Sequence, residues 1–396
     1  MAKRNLAVIF GGRTVEHDVS IVSALQFMDN ADKSKYEALP LYISREGKWY
    51  FGDRLRDIGF YEKFDPSQVT EVYLQPTHGS RGIYAAEPTG GGLFSRKRRR
   101  LPLAQFDVAV PSIHGMNGED GTLQGLLELM DAPYTSPAVM GSAVGMDKIA
   151  MKLVFRGAGL PIVPYVSLER SYFAEKRDSA LDEVEQLGYP VYVKPSNLGS
   201  SIGINRADDR AALAHALEVA FHYDRRAVVE RAVQDAQEIN CSAMGFEGDV
   251  QVSLCEQPVS WKEFLTFDEK YLRDGAGKGM ESMQRLIPAP ISEELTARIQ
   301  ALTAQAFRLL DCKGVVRVDY MIDKANGELY INEINTVPGS FAFYLWEPKG
   351  IPYARLIDSI VEQALAAHRE KNKNTYAFDS SLIGKVKRGG AKGVKK

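Results

Sequence analysis

Arg317, Asp319, Glu333 and Asn335 sit at two-residue spacings in two adjacent strand-like runs, VVRVDYMI and ELYINEIN. The loop between them carries Asn326-Gly327, a common hairpin turn signal. Side chains alternate along a strand, so Arg317 and Asp319 share a face, as do Glu333 and Asn335, and the hairpin register is expected to merge those faces. Two carboxylates and a carboxamide oxygen are hard ligands, which hold Mg²⁺ through one or two contacts while substrate phosphates supply the rest. A neighbouring guanidinium suits a transferring phosphoryl group. The bland alternative is a solvated strand face with incidental charges. Two facing strands with complementary polar sets, followed at once by the rigid Pro338-Gly339 turn, favour a metal–nucleotide site.

Further polar groups cluster at apparent strand ends. Lys194 closes a strand-like YPVYVKP and runs into Ser196-Asn197-Leu198-Gly199-Ser200-Ser201-Ile202-Gly203. A point cation beside backbone N–H groups of a Gly/Ser loop is a phosphate cradle; the bland alternative is a glycine-rich hairpin. No G-K-[ST] follows, so it is not a P-loop. Glu230 ends the run AVVE and is placed to accept from an adenine amine or ribose hydroxyl. His114 ends the buried run FDVAVPSI just before Gly115, Gly118 and Gly121, whose backbones can approach a ligand closely. That company favours a site role over a satisfied core histidine. Glu16 and Ser20 follow a strand and Gly11-Gly12; a small-molecule site and ordinary capping of the next helix, by Thr14 or Ser20, both remain open there.

The elements that position these groups follow from patterning. With 396 residues, 45% hydrophobic and 25% charged, the chain supports two or three domains and a sizeable core. Strand (LAVIF), glycine turn and helix (SIVSALQFM) open a doubly wound α/β domain, without the full G-x-G-x-x-G of a dinucleotide site. Residues 40–105 alternate short strands and glycine-rich turns; 262–284 is a long polar flap with one prominent tyrosine; helices over ISEELTARIQALTAQAFRLL and YARLIDSIVEQALAAHREKN flank the metal hairpin. A net charge of −2 gives no global pull toward nucleic acid or membrane, and the basic run 96–100, lacking interleaved aromatics, reads as a solvated loop. Three cysteines without CxxC spacing, and no signal peptide or apolar span, point to a reducing cytoplasm. The tail after about residue 373 is basic, glycine-rich and expected to be disordered.

Two lysines read as strand ends, a Gly/Ser loop and acidic strand ends make an ATP site with metal. At this point the chain resembles the D-alanine–D-alanine ligase family of ATP-grasp enzymes over roughly residues 5–368. The resemblance is carried by GGRTVEHDVS (11–20), HGMNGEDGTLQG (114–125), MDK (146–148), VKPSNLGSSIG (193–203), RVD (317–319) and NEINTVPG (332–339).

The resemblance implies a three-domain α/β ATP-grasp ligase, with a doubly wound N-terminal domain (1–136), two ATP-grasp α+β domains (137–230 and 231–372) and a tail (373–396). It implies ATP, two Mg²⁺ ions (Mn²⁺ as a substitute), D-alanine as substrate, a cytoplasmic homodimer, and no nucleic-acid or membrane partner. Lys148 and Lys194 match phosphate-binding lysines, with Ser200, Ser201 and Lys270 also at ATP and residues 196–203 as a flap. Glu230 and Glu238 match residues at the adenosine, and Asp319, Glu333 and Asn335 the metal ligands. Arg317 and Gly339 match groups at the phosphoryl transfer; Glu16, Ser200 and Tyr271 match the triad holding the first D-alanine's ammonium; His114 matches a histidine near it. Lys270-Tyr271 resembles the dipeptide-forming type. One departure stands out: the serine that grips the second substrate's carboxylate, five residues after the motif's last glycine, is Tyr344 here, followed by Leu345. The second substrate is therefore open to D-serine, D-lactate or another amine, with Ser340 as the candidate compensating group.

Overall fold

The structure, a computed structural model, describes residues 3–86, 101–258, 285–376 and 378. The basic run 96–100, Lys270 and Tyr271 with the rest of 262–284, and nearly all of the tail lie outside the described residues.

The described helices are α1 (His17–Asn30), α2 (Thr122–Leu129), α3 (Val139–Met146), α4 (Lys148–Gly157), α5 (Arg170–Glu175), α6 (Arg177–Glu185), α7 (Arg210–Tyr223), α8 (Glu293–Leu309) and α9 (Tyr353–Lys371). The strands form three sheets. The first holds β1 (Arg4–Gly11), β2 (Tyr36–Ile43), β3 (Trp49–Phe51), β4 (Thr70–Leu74), β5 (Gly82–Ala85), β6 (Ala104–Gln105) and β7 (Val108–Pro111), in the order β6-β5-β4-β3-β2-β1-β7. β1 lies parallel to β2 and β7, the doubly wound part. From β2 outward the sheet is an antiparallel meander, because links as short as residues 44–48 cannot make the crossover that parallel pairing needs. The unbroken apolar run of β1 has a direct cause. Leu6, Val8 and Phe10 enter one core while Ala7 and Ile9 enter another, so both faces are covered.

The second sheet holds β8 (Tyr165–Glu169), β9 (Val191–Pro195), β10 (Asn205–Ala207) and β11 (Arg226–Arg231), all antiparallel, in the order β10-β9-β11-β8. The third holds β12 (Gln237–Phe246), β13 (Asp249–Pro258), β14 (Arg285–Leu286), β15 (Gly314–Ile322) and β16 (Leu329–Asn335), in the order β14-β13-β12-β15-β16. Helix α8 starts where Ser292 accepts from Leu295 N–H at 3.2 Å and carries Glu293 and Glu294 in its first turn and Arg308 in its last, all favourable to the helix dipole. Its Ile299, Ala306 and Phe307 pack against the third sheet, as do Met151 and Phe155 of α4. Helix α9 packs Leu356, Ile360 and Val361 in the same core as Leu6 and Val8 of β1 and Val315 of β15, tying the first sheet to the third. One expectation is corrected here. Lys148 does not end a strand; it is the first residue of α4, whose cap is Asp147.

The same junction buries a lysine. Lys313 donates to the Tyr134 carbonyl at 3.0 Å, and its ammonium lies 3.5 Å from the centroid of that tyrosine's ring. Burial pulls its pKa down to about 7 from 10.5, against the pull of Glu128. Between those values the unfolded chain binds the proton and the folded one releases it, so stability rises with pH across about 7 to 10.5, by at most about 1.4 kcal/mol per unit. Lys313→Met should remove this component from the unfolding midpoint measured between about pH 7 and 10. An identical slope in the variant would show that Lys313 does not titrate there.

Candidate active site

The β15–β16 hairpin pairs Arg317 with Asn335 and Asp319 with Glu333, so the four polar groups do share one face. Arg317 donates to both Asp319 oxygens, from Nε at 2.7 Å and Nη2 at 2.8 Å, and Asn335 Nδ2 donates to Asp319 Oδ2 at 3.0 Å. The register slips after Asp319, so that Tyr320 faces Ile331 and Asn332 is the extra residue of a bulge. The bulge re-aims Asn332, whose Oδ1 accepts from Lys194 Nζ at 3.0 Å. The hairpin row continues across the sheet, since Asp319 pairs with Asn240 of β12 and Asn240 with Glu256 of β13.

Two lysines reach this face from different elements. Lys148, at the start of α4, lies 3.2 Å from Glu333 Oε2 and donates to the Leu198 carbonyl at 2.8 Å. Its helix is anchored by Asp147, which accepts from Ile149 and Ala150 N–H, from Ser196 Oγ at 2.8 Å and from Arg226. Burial pushes the Asp147 carboxyl up, but these donors outweigh it and hold the pKa below the usual value. Lys194, at the end of β9, pairs with Glu230 Oε2 at 2.8 Å. Glu230 Oε1 lies 2.8 Å from Lys152, an ion pair without hydrogen-bond alignment. Burial pushes the Glu230 carboxyl up, yet the two ammonium groups prevail and hold it at about 2. The sequence reading placed Glu230 at an adenine or ribose; it borders the larger cavity, while its two carboxylate oxygens face Lys152 and Lys194.

The Gly/Ser loop closes over the other end. Ser200 and Ser201 hold positive φ of 54° and 59°, and Ser200 Oγ donates to Glu16 Oε1. A Cβ on Gly199 would sit 2.9 Å from Glu16 Oε2, and one on Gly115 2.7 Å from the same atom. Two glycines from separate loops thus make room for one carboxylate, which ordinary helix capping does not require. Ser20 is structural instead, accepting from Gly11 N–H at 2.8 Å and donating to the Ser112 carbonyl at 2.5 Å. His114 Nδ1 and Nε2 bond the Val337 carbonyl and Ser23 Oγ, both at 2.8 Å, so its ring braces the turn after β16.

Gly339 opens a tight 3₁₀ turn, Gly339–Leu345, in which Ser340, Phe341 and Ala342 all have positive φ. Left-handed backbone in non-glycine residues costs roughly 1 kcal/mol each or more, strain typical of functional sites. Ser340 does not stand in for the missing serine, because its hydroxyl donates to Gln26 Oε1 at 2.5 Å within a buried setting. The Leu345 side chain is fully buried in the apolar core, which leaves only its backbone to meet a ligand. Tyr344 is buried too, but its hydroxyl accepts from Arg317 Nη1 at 3.4 Å.

Two adjoining cavities meet at Lys194 and Glu238. One lies under the Gly/Ser loop and is lined by Lys148, Gly199, Ser201, Arg317, Asp319 and Glu333. The other, of about 480 Å³, runs along the chain from Glu230 to Glu238, a size suited to a nucleoside. Asp319, Glu333 and Asn335 fit a divalent cation completed by phosphate oxygens. Among the described residues no group of three or more His, Cys, Asp or Glu could hold a metal by itself. Sequence reasoning missed Lys152, Asn332, Glu256 and Arg285. Lys152 was findable, lying one helical turn after Lys148 on the same face; Asn332 needed the bulge, which leaves no sequence signal.

Fold and site together define an ATP-grasp ligase, with the polar patch lying between the second and third sheets. The family model described as D-ala D-ala ligase N-terminus matches residues 5–137, and that for the C-terminus residues 154–362. The D-alanine–D-alanine ligase of Heliobacterium modesticaldum is 40% identical over 379 residues, covering 94% of this chain and 98% of that protein. That of Bacillus cytotoxicus is 38% identical over 383 residues, covering 96% and 100%. Among solved structures, the D-alanine–D-alanine ligase of Coxiella burnetii superposes with a TM-score of 0.76 at 27% identity, covering 98% of this chain and 99% of that one. The VanG D-Ala:D-Ser ligase of Enterococcus faecalis gives 0.76 at 27%, covering 92% and 100%. The chain belongs to the D-alanine–D-alanine ligase family. It is an ADP-forming ligase that depends on ATP and a divalent metal.

Proposed function

We propose that this chain joins two D-alanines into D-alanyl-D-alanine for peptidoglycan precursor synthesis, as a cytoplasmic homodimer with two Mg²⁺ ions, replaceable by Mn²⁺. The observation that carries the reading is one patch of Lys148, Lys194, Arg317, Asp319 and Glu333 beside the Glu16–Ser200 pair. The domains of this reading are 1–136, 137–230 and 231–372, meeting at the site. Among the described residues no helix is long and apolar enough to cross a membrane.

Glu16 holds the first D-alanine's ammonium, with Ser200 fixing its carboxylate and Tyr271, outside the described residues, completing the triad. The substrate carboxylate attacks the γ-phosphate of ATP, giving D-alanyl phosphate and ADP. Lys148, Lys194 and Arg317 stabilise the charge spread over the transferring group. Divalent cations, when bound at Asp319, Glu333 and Asn335, neutralise phosphate charge. The second amino acid's amine then attacks the acyl carbon and phosphate leaves. Closing the Gly/Ser loop keeps out water that would hydrolyse the acyl phosphate. Glu238 borders the nucleoside cavity, and Gly339 lies where the intermediate is received.

The test is ATP-dependent product formation with D-alanine alone, then with D-serine or D-lactate added, products identified by mass. Dominant D-alanyl-D-alanine supports the reading; ATP turnover without a D-alanyl product refutes it. Glu16→Gln should raise the KM of the first D-alanine by about 10- to 100-fold, the worth of a charge-assisted bond, and leave the KM of ATP within about twofold. An equal rise in both would place Glu16 away from the donor.

A further inference from the structure

We propose that Arg285, anchored by Glu256, is a positioning residue for the acceptor: it holds the Tyr344 phenol where the second substrate's carboxylate docks, and so sets acceptor choice. The proposal rests on the ligase reading above.

Glu256 is fully buried, and both its oxygens are engaged, Oε1 by Arg285 Nη1 at 2.6 Å and Oε2 by Asn240 Nδ2 at 3.3 Å. A buried ion pair of this kind is a fixed point, since removing either partner strands a charge. Through Asn240 it stands in the same cross-sheet row as Asp319 and Glu333. From it the Arg285 guanidinium extends over the Tyr344 ring, 3.7 Å from the centroid. Planar, weakly hydrated arginine stacks on aromatic faces in a way that lysine cannot. Phe343 meets the same ring edge-on at 6.0 Å. The ring is thereby pinned in orientation.

Pinning the ring aims the hydroxyl. Its oxygen accepts from Arg317 Nη1 at 3.4 Å, while Arg317 Nε and Nη2 are committed to Asp319. A guanidinium only donates, so the phenol keeps its own proton to donate elsewhere. The acceptor must bring its amine to an acyl carbon formed beside Arg317, and its carboxylate then needs a donor on the same side. Tyr344 O–H supplies one. Arg285 does not act as the receptor itself, because Glu256 already balances its charge. The acceptor this arrangement takes is a small molecule with a carboxylate next to its nucleophile.

The experiment compares the native enzyme with Arg285→Met, Arg285→Lys and Tyr344→Phe. Arg285→Met/Glu256→Leu is added because the single variant strands a buried carboxylate. Two-site kinetics with Mg²⁺, ATP and D-alanine separate donor from acceptor KM. Competition with D-serine gives product ratios. Hydroxylamine, a nucleophile without a carboxylate, reports D-alanyl phosphate formation as the hydroxamate. The expected result is an acceptor KM raised about 10- to 100-fold in Arg285→Met, its double variant and Tyr344→Phe, with an altered D-alanine to D-serine ratio. Hydroxamate formation stays within about threefold in Arg285→Met and its double variant, and Arg285→Lys recovers only part of the loss. An unchanged acceptor KM and product ratio would overturn the proposal. So would a parallel fall in hydroxamate formation, which marks general damage. No dipeptide from the native protein would overturn the ligase reading, and this proposal with it.

Discussion

Asp319→Asn should lower kcat/KM for dipeptide formation by about a thousandfold, roughly 4 kcal/mol of transition-state stabilisation. The carboxylate does two jobs that an amide cannot. It accepts two bonds from Arg317, fixing the guanidinium on the face it shares with Glu333. It also offers the charged oxygen that, with Glu333, suits a hard divalent cation. Asparagine keeps the shape and can still accept from one Arg317 nitrogen, so the third sheet should fold as before. Steady-state kinetics with a Mg²⁺ titration is the check. The half-saturating Mg²⁺ concentration should rise, while metal-free ADP binding stays within about twofold. Activity within about tenfold of native would remove Asp319 from the metal site.

The second large effect concerns Glu230, and it reads out as stability. Glu230→Gln leaves Lys152 and Lys194 buried without their shared counter-charge. Breaking a buried pair from one side costs about 3–5 kcal/mol, which lowers the unfolding midpoint by roughly 5 °C. The pH dependence has a definite sign. The folded carboxyl titrates at about 2 against 4.5 when unperturbed, so its stabilisation is complete above about pH 4.5 and drains away as pH falls toward 2. The glutamine variant should lack that part of the acid transition. Pairing it with Lys152→Met should recover part of the lost stability, because one stranded cation is removed along with the anion. A double variant no more stable than the single would place the cost on Lys194 alone.

Much of the site was legible before any coordinates. Period-two spacing put Arg317, Asp319, Glu333 and Asn335 on common faces, and the turn signal joined them, because strand geometry and hairpin pairing are local rules. The apolar run of β1, the helix that became α8 and the glycines around 115 and 199 were equally local. What chain order could not supply was long-range neighbourhood. Glu16 and Ser200 are 184 residues apart, and Glu256 meets Arg285 across a 29-residue interval. His114 looked like a ligand contact by its company, but α1 and the turn after β16 arrive to occupy both its nitrogens. Leu345 and Tyr344 are neighbours in one buried core, yet only the Tyr344 hydroxyl reaches Arg317. The register slip that turns Asn332 toward Lys194 depends on how two strands settle against each other. Residue types and local periodicity thus decided which groups the chain carries and which face each strand shows. Packing of distant segments decided which of those groups keep a free face toward substrate, because a side chain's last hydrogen-bond partner is chosen by what folds against it.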